Sequence, residues 1–423
     1  MSKINPATGT KTDYPTGTAR SGVAYDGTNI WVTNYRDDHH DGRSHRPAHG
    51  KVDAMSIVAD VPVRERAQRL FRDHSVLSAW VVSRLVVALG LAIGYGWRTG
   101  TASDDGFSVW DGRWYRLIAL AGYGGPPRIG HQSAWPFFPL LPALMHLVHA
   151  AHLPEVAVII LANHALILVA LIGVRRLADR HFGPDVARWS VWILAVFPLT
   201  AAFSMVYPSA IFLAASVWAF ELTERKRFWA AGIAAAVATM ARPNGVIVAV
   251  VLTAVTLTAE LPEPVGRRRS LAIRQGAPSA IAIIGWVAIC AWRTGNPLVF
   301  VTAKTAWHEL TIIGFIGRLG DDIHFDSATI HITLGLIAAV ALWVTWHHIP
   351  RSWRVLATIA LIVPLATGLV GLGRYSNECF PLAIAGGITL TRAPRWARTT
   401  TLVTSTTTAL AIAIAIASHG LVP

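Results

Sequence analysis

Asp111 stands in the run Ser108-Val109-Trp110-Asp111-Gly112-Arg113-Trp114-Tyr115, directly after the first long apolar stretch of the chain. A carboxylate set among aromatic rings and guanidinium groups suits a general base acting on a hydroxyl. An acid in a loop is more often a solvated turn residue, so the surrounding pattern has to decide. The proline-spaced run Trp135-Pro136-Phe137-Phe138-Pro139-Leu140-Leu141-Pro142 follows downstream. Arg242 sits at a helix break, Met240-Ala241-Arg242-Pro243-Asn244-Gly245, and Arg374 opens Arg374-Tyr375-Ser376-Asn377 between two apolar blocks. The loop Gly295-Asn296-Pro297-Leu298-Val299-Phe300 leads to Lys304, Trp307 and His308. Guanidinium and ammonium groups beside aromatic rings at a membrane surface suit the phosphate of a lipid carrier. Each of them taken alone suits lipid-headgroup anchoring equally well.

The composition says what must hold these residues. Of the 423 residues, 53% are hydrophobic and 14% are charged, where a soluble domain carries about a quarter charged. The apolar residues gather in blocks separated by short polar links, the pattern of a multi-pass helical membrane protein. The net charge of +13 does not indicate a nucleic-acid partner, because the arginines fall in short clusters between apolar blocks. Cys290 and Cys379 lie in or near apolar blocks and offer neither a disulfide framework nor metal-ligand spacing. Residues 1–70 are polar and lack the apolar segment of a signal peptide.

The N-terminal stretch Gly22-Val23-Ala24-Tyr25-Asp26-Gly27-Thr28-Asn29-Ile30-Trp31-Val32-Thr33-Asn34 looks like one strand pair of a β-propeller repeat. A single repeat cannot bury its own apolar face. Asp37-Asp38-His39-His40-Asp41 with His45 and His49 has metal-ligating residue types, but the composition fits a disordered tail better. Residues 1–60 are therefore expected to be a disordered tail, with Met55 as an alternative start, and 61–423 to be the membrane domain.

Spanning potential runs over residues 75–97, 156–175, 188–204, 208–222, 228–242, 243–260, 277–293, 328–347, 354–373, 377–391 and 400–418. The segment 135–152 is a poor span, since it holds prolines together with His146, His149 and His152. Leaving it out places Arg175/Arg176/Arg180, Arg225/Lys226/Arg227, Arg267/Arg268/Arg269 and Arg392/Arg395/Arg398 on one face, which the positive-inside rule makes cytoplasmic. The expected architecture is an all-α polytopic membrane protein of about eleven spans, with a cytoplasmic N-terminus. A large extracytoplasmic loop at 98–155 carries Asp111, and Trp110–Ala121 and Trp135–His152 become interfacial helices anchored by Trp and Phe. Arg84, inside the first span, is expected to face the bundle interior and pair there structurally.

Taken together, these motifs resemble the PIG-V-like mannosyltransferases, membrane glycosyltransferases of GT-C fold related to the enzyme that adds the second mannose of glycosylphosphatidylinositol anchors. The resemblance rests on Trp110 to Tyr115, Ile118-Ala119, Gly122-Tyr123 and Ala134 to Pro142. It continues through Phe197-Pro198, Tyr207, Ala238 to Gly245, Gly295 to Leu298, Trp307, Arg374-Tyr375 and Phe380-Pro381, covering about residues 75–390 in order. It implies transfer of mannose from polyprenyl-phosphate-mannose to a hydroxyl on the extracytoplasmic side, with Asp111 as the base. The chain departs from the family at Pro208-Ser209 after Tyr207 and at His131-Gln132-Ser133 before the Phe-Phe-Pro run, where the family has acids. A second carboxylate role is thus in question.

The expected chemistry is a single inverting displacement on a sugar already activated by its lipid phosphate. No Walker-type or Rossmann glycine pattern is present or needed. Asp111 would accept the acceptor proton, and Arg113, Arg242, Lys304 or Arg374 would hold the departing phosphate. Trp110, Tyr115, Trp135 and Tyr375 are assigned to sugar or acceptor contact. No tightly bound cofactor or metal is expected, and weak assistance by a divalent cation stays open. The partners are a lipid-linked sugar donor, a glycolipid or protein acceptor and membrane lipids. A composition rich in alanine, arginine and tryptophan points to a GC-rich bacterium, in which a cell-envelope acceptor is expected. A transporter or flippase of lipid-linked sugars is the rival class, though the spans carry few acids for ion coupling and no inverted repeat is evident. A scaffold in a cell-wall complex is a third.

Overall fold

A computed structural model describes residues 74–96, 107–128, 130–258, 264–307, 327–418 and 421–422, together with four short strands between residues 2 and 32. The chain divides into two compact units, Met1–Val63 and Arg64–Pro423.

In the first unit, β1 (Ser2–Ile4), β2 (Lys11–Asp13), β3 (Val23–Tyr25) and β4 (Ile30–Val32) form an antiparallel sheet in the order β2-β1-β4-β3. The strand pair read in residues 22–34 is the β3/β4 hairpin, with Val23 opposite Val32 and Tyr25 opposite Ile30. The histidine-rich tract and Met55 lie outside the described residues.

The described part of the second unit is helical: α1 (Ser75–Gly96), α2 (Asp111–Ala121), α3 (Leu140–Ala150), α4 (Glu155–Phe182), α5 (Pro184–Ala195), α6 (Ser209–Glu224), α7 (Phe228–Ala241) and α8 (Gly245–Leu257) come first. They are followed by α9 (Val265–Thr294), α10 (Val299–Thr302), α11 (Ser327–Thr345), α12 (Arg351–Thr367), α13 (Leu372–Asn377), α14 (Phe380–Arg392) and α15 (Arg395–Ala417). Each of the eleven apolar blocks carries one of these helices. Five of them, α1, α4, α9, α11 and α15, are long and apolar enough to cross a membrane. The helices of the other six blocks each have a proline or glycine at or near at least one end. At ~1.5 Å rise per residue, the 12 residues of α5 and the 17 of α12 reach roughly 18 and 26 Å, less than a hydrocarbon core of ~30 Å.

Two expected interfacial helices change in the structure. Helix α2 starts at Asp111, and Trp110 caps it in a left-handed conformation, φ 54°. The second starts at Leu140 and not at Trp135, because in a helix begun at Trp135 the ring of Pro139 would clash with the Trp135 carbonyl and leave it without its backbone donor. Trp135, Phe137 and Phe138 are buried in protein, so these rings pack a core and do not anchor in lipid.

Close helix contacts are made by small residues. On α1, Gly90 and Gly94 face Ala413 and Ala417 of α15, and a Cβ on Gly94 would lie 2.5 Å from the Ile414 carbonyl oxygen. The spacing Gly90-x-x-x-Gly94 lets two backbones approach within a membrane, where dispersion and close packing take over from the hydrophobic effect. Arg84, also on α1, is buried as expected. Its guanidinium donates to the hydroxyls of Ser204 and Thr200 at 2.6 Å each, tying α1 to the turn at 200–204 that leads into Tyr207.

Candidate active site

The site is built where three connections meet. The bent segment 205–207 runs beside the loop preceding α2. The Val206 amide donates to the Phe107 carbonyl at 2.9 Å, and the Tyr207 hydroxyl donates to the Val109 carbonyl at 3.3 Å. Asn163 of α4 braces the same segment, its Nδ2 donating to the carbonyls of Met205 and Tyr207. This scaffold fixes where α2 begins and so where Asp111 projects.

Asp111 meets Arg374 of α13, with Nη1 donating to Oδ2 at 3.1 Å across 263 positions of sequence. The carboxylate is a third exposed, while the guanidinium is 13% exposed. Arg374 also lies over the rings of Tyr207 and Tyr375, at 5.4 and 5.9 Å from their centroids. Burial opposes its charge, but the Asp111 carboxylate, followed by Tyr375 and Tyr207, outweighs burial and raises its pKa above the ordinary arginine value. Arg374 is a fixed cation beside a reachable carboxylate.

Arg242 closes the second half of the site. It ends the α7/α8 break, where the chain turns through Pro243-Asn244, and it is buried. Its Nη1 donates to Glu378 Oε2 at 2.6 Å and its Nη2 to Ser209 Oγ at 3.0 Å, and its guanidinium stacks on the Tyr375 ring at 5.6 Å. Tyr375 therefore lies between two guanidinium groups. Tyr115, one turn along α2 from Asp111, is buried edge-on against Phe137 at 5.1 Å. Burial raises its hydroxyl above the usual phenol value, with the nearby Arg242 charge opposing.

The other sequence-assigned residues lie at varying remove. Lys304 is half-buried on the 3-10 turn Ala303–Trp307, which approaches α2 through Trp307 against Trp114 at 5.1 Å. Arg113 is exposed on α2. Trp135 belongs to another cluster, where it stacks on Tyr123 at 5.0 Å, packs near Trp286 and donates to the Gly125 carbonyl. His308 lies outside the described residues. Among the described residues, no group of three or more His, Cys, Asp or Glu side chains is placed to hold a metal ion.

Glu378 and Ser209 were not singled out by the sequence reading as parts of the site. An acid at the edge of a block, on the same face as a lone arginine at a helix break, was the available signal, since ionisable groups at membrane depth require partners. Glu378 has one oxygen on Arg242, while Oε1 is buried with no protein partner. It lines a cavity of about 30 Å³ with Asn244, Tyr375 and Ser216, a volume that admits a water molecule.

No family model matches the chain, and no curated protein matches it. Among solved structures, it is similar to the Archaeoglobus fulgidus oligosaccharyltransferase in the apo form, with a TM-score of 0.47 and 13% identity over 82% of this chain and 56% of that one. It is also similar to the archaeal oligosaccharyltransferase AglB from Archaeoglobus fulgidus in complex with an inhibitory peptide and a dolichol-phosphate. There the TM-score is 0.43, with 14% identity over 84% of this chain and 57% of that one. ArnT from Cupriavidus metallidurans, bound to undecaprenyl phosphate, gives a TM-score of 0.46 and 18% identity over 75% of this chain and 62% of that one. The chain thus spans less than two thirds of the length of each of these structures.

Proposed function

We propose that this chain is a membrane glycosyltransferase of GT-C type that moves a mannosyl residue from a polyprenyl-phosphate carrier to a hydroxyl of a glycolipid or other cell-envelope acceptor, on the extracytoplasmic face. The observation that carries the reading is the Asp111–Arg374 contact at 3.1 Å. It pairs a partly exposed carboxylate, able to take a proton, with a fixed cation, able to hold a departing phosphate. The motifs that carry the PIG-V-like resemblance supply the carboxylate, the arginine and the tyrosine between the two guanidinium groups.

In the proposed reaction the acceptor hydroxyl approaches the anomeric carbon while Asp111 takes its proton. The new C–O bond forms as the bond from the anomeric carbon to the phosphate oxygen breaks, and the phosphate leaves with the bonding pair. One displacement inverts the anomeric centre, so a β-linked mannosyl phosphate gives an α-mannoside. Arg374 neutralises the charge that develops on the leaving phosphate, and Arg242, held by Glu378, fixes Tyr375 beside it. Tyr375, with both guanidinium groups against its ring, would contact the sugar or acceptor, as would Tyr115 one turn along α2 from Asp111.

The test is a cell-free assay in membranes containing the full chain, supplied with radiolabelled polyprenyl-phosphate-mannose. Label appearing on a new lipid or protein is the expected result. Label that crosses the membrane still attached to its original carrier would replace this reading with that of a flippase.

A further inference from the structure

Residues 421 and 422 cross back over the segment that presents Asp111. The Leu421 carbonyl accepts a hydrogen bond from the Trp110 indole Nε1–H at 3.1 Å. The Val422 amide donates to Ser327 Oγ at 3.0 Å, and the His331 Nε2–H donates to the Val422 carbonyl at 3.2 Å. The Leu421 side chain packs against the cluster of Val109, Tyr207 and Leu334. Two residues therefore connect the start of α11, through Ser327 and His331, to the residue immediately before Asp111.

Both partners of the Asp111–Arg374 contact are reached by this connection. Trp110 has φ 54° and ψ −121°, a combination that a bulky residue adopts only where surrounding structure holds it. The residue is 41% exposed, so burial alone does not do the holding, and the Leu421 bond is a specific restraint. On the other side, His331 packs against the backbone of Gly373, the residue before Arg374. A Cβ there would lie 3.2 Å from His331 Cα and 3.3 Å from its Nδ1.

We infer that Leu421 and Val422 form a strap that locks Trp110 in its left-handed conformation and so sets the position of Asp111 relative to Arg374, which makes Trp110 a positioning residue. The inference rests on the proposed transfer reaction for its kinetic consequences but not for the strap itself. A misplacement of about 1 Å costs up to roughly a hundredfold in rate, so loss of one restraint should reduce kcat by about tenfold.

The experiment has two arms, both with the full chain in native membranes. In the first, Leu421→Cys is labelled with a maleimide, alone and combined with Trp110→Phe or Ser327→Ala. Severalfold faster labelling in the combined variants is expected, and an unchanged rate would overturn the strap whatever reaction the protein performs. In the second, Trp110→Phe, Ser327→Ala and their combination are assayed with radiolabelled polyprenyl-phosphate-mannose. The expected result is a lower kcat at unchanged KM, with the combination no worse than the stronger single variant, because both act through one element. A raised KM at unchanged kcat would make Trp110 a substrate contact and overturn its positioning role, as would full activity. If the unsubstituted chain transfers no mannose, the proposed reaction fails and the labelling arm still decides the strap.

Discussion

Arg242 and Glu378 are joined at 2.6 Å across 136 positions of sequence, with both side chains less than a tenth exposed. An arginine at a loop tip, which read as a phosphate ligand, is thus already engaged by a carboxylate and by Ser209. Removing one member of a buried pair leaves the other charge uncompensated. Arg242→Ala or Glu378→Gln should cost about 3–5 kcal/mol, read as a large fall in thermal midpoint in detergent. A double Arg242→Met/Glu378→Met variant should recover much of that stability but little activity. Equal activity in the double variant and the parent would limit the pair to a structural role.

Asp111→Asn preserves size and much of the hydrogen bonding but cannot accept a proton at neutral pH. The variant should express and bind donor while turnover falls by about a hundredfold or more. Asp104→Asn and Asp105→Asn serve as controls and should remain active, since both lie in the small-polar run Thr101-Ala102-Ser103-Asp104-Asp105-Gly106, outside the residues that carry the resemblance. Near-normal turnover in Asp111→Asn would remove it from the role of base.

Arg374→Ala deletes both the partner of Asp111 and the cation nearest to it, so kcat/KM should fall by on the order of a hundredfold. Arg374→Lys keeps the charge without the planar fork or the ring stacking. It should recover only part of that loss. Full recovery by lysine would mean that charge alone matters and that the tyrosine-stacked geometry does not.

Gly94 of α1 has no room for a side chain against Ile414 and Ala417 of α15. Gly94→Leu must part the two helices, at a cost of about 1–3 kcal/mol from overpacking. A lower thermal midpoint together with faster labelling of Leu421→Cys is expected, because α15 leads into the strap. An unaltered midpoint would show that the α1/α15 contact can give way freely.

The orientation in the membrane is tested by labelling intact cells with an impermeant maleimide. Cys290 and Cys379 are buried, so the native background is low. Gln132→Cys should react and Ser270→Cys should not. The opposite pattern would invert the assignment on which an extracytoplasmic site depends.

How much of this was legible in the sequence depends on the range of the interaction involved. Hydropathy and the spacing of prolines and glycines act locally, so they placed a helix in every apolar block and a break at Arg242-Pro243-Asn244. They did not reveal which helices fall short of the hydrocarbon thickness, because capping and turn geometry trim each end. Asp111 stood out by its neighbours, and Arg374 by its place between two blocks, as residue types in local settings. Their pairing across 263 positions, the capture of Arg242 by Glu378 and the return of Leu421 to Trp110 across 311 positions are outcomes of packing. A one-dimensional pattern cannot carry such contacts, since side-chain partners across a helical bundle are chosen by distance and burial. The sequence by itself determined the class of protein and the chemistry its residues can offer. Tertiary structure alone decided which cation faces the carboxylate, because only folding desolvates a charge and thereby forces it to find a partner.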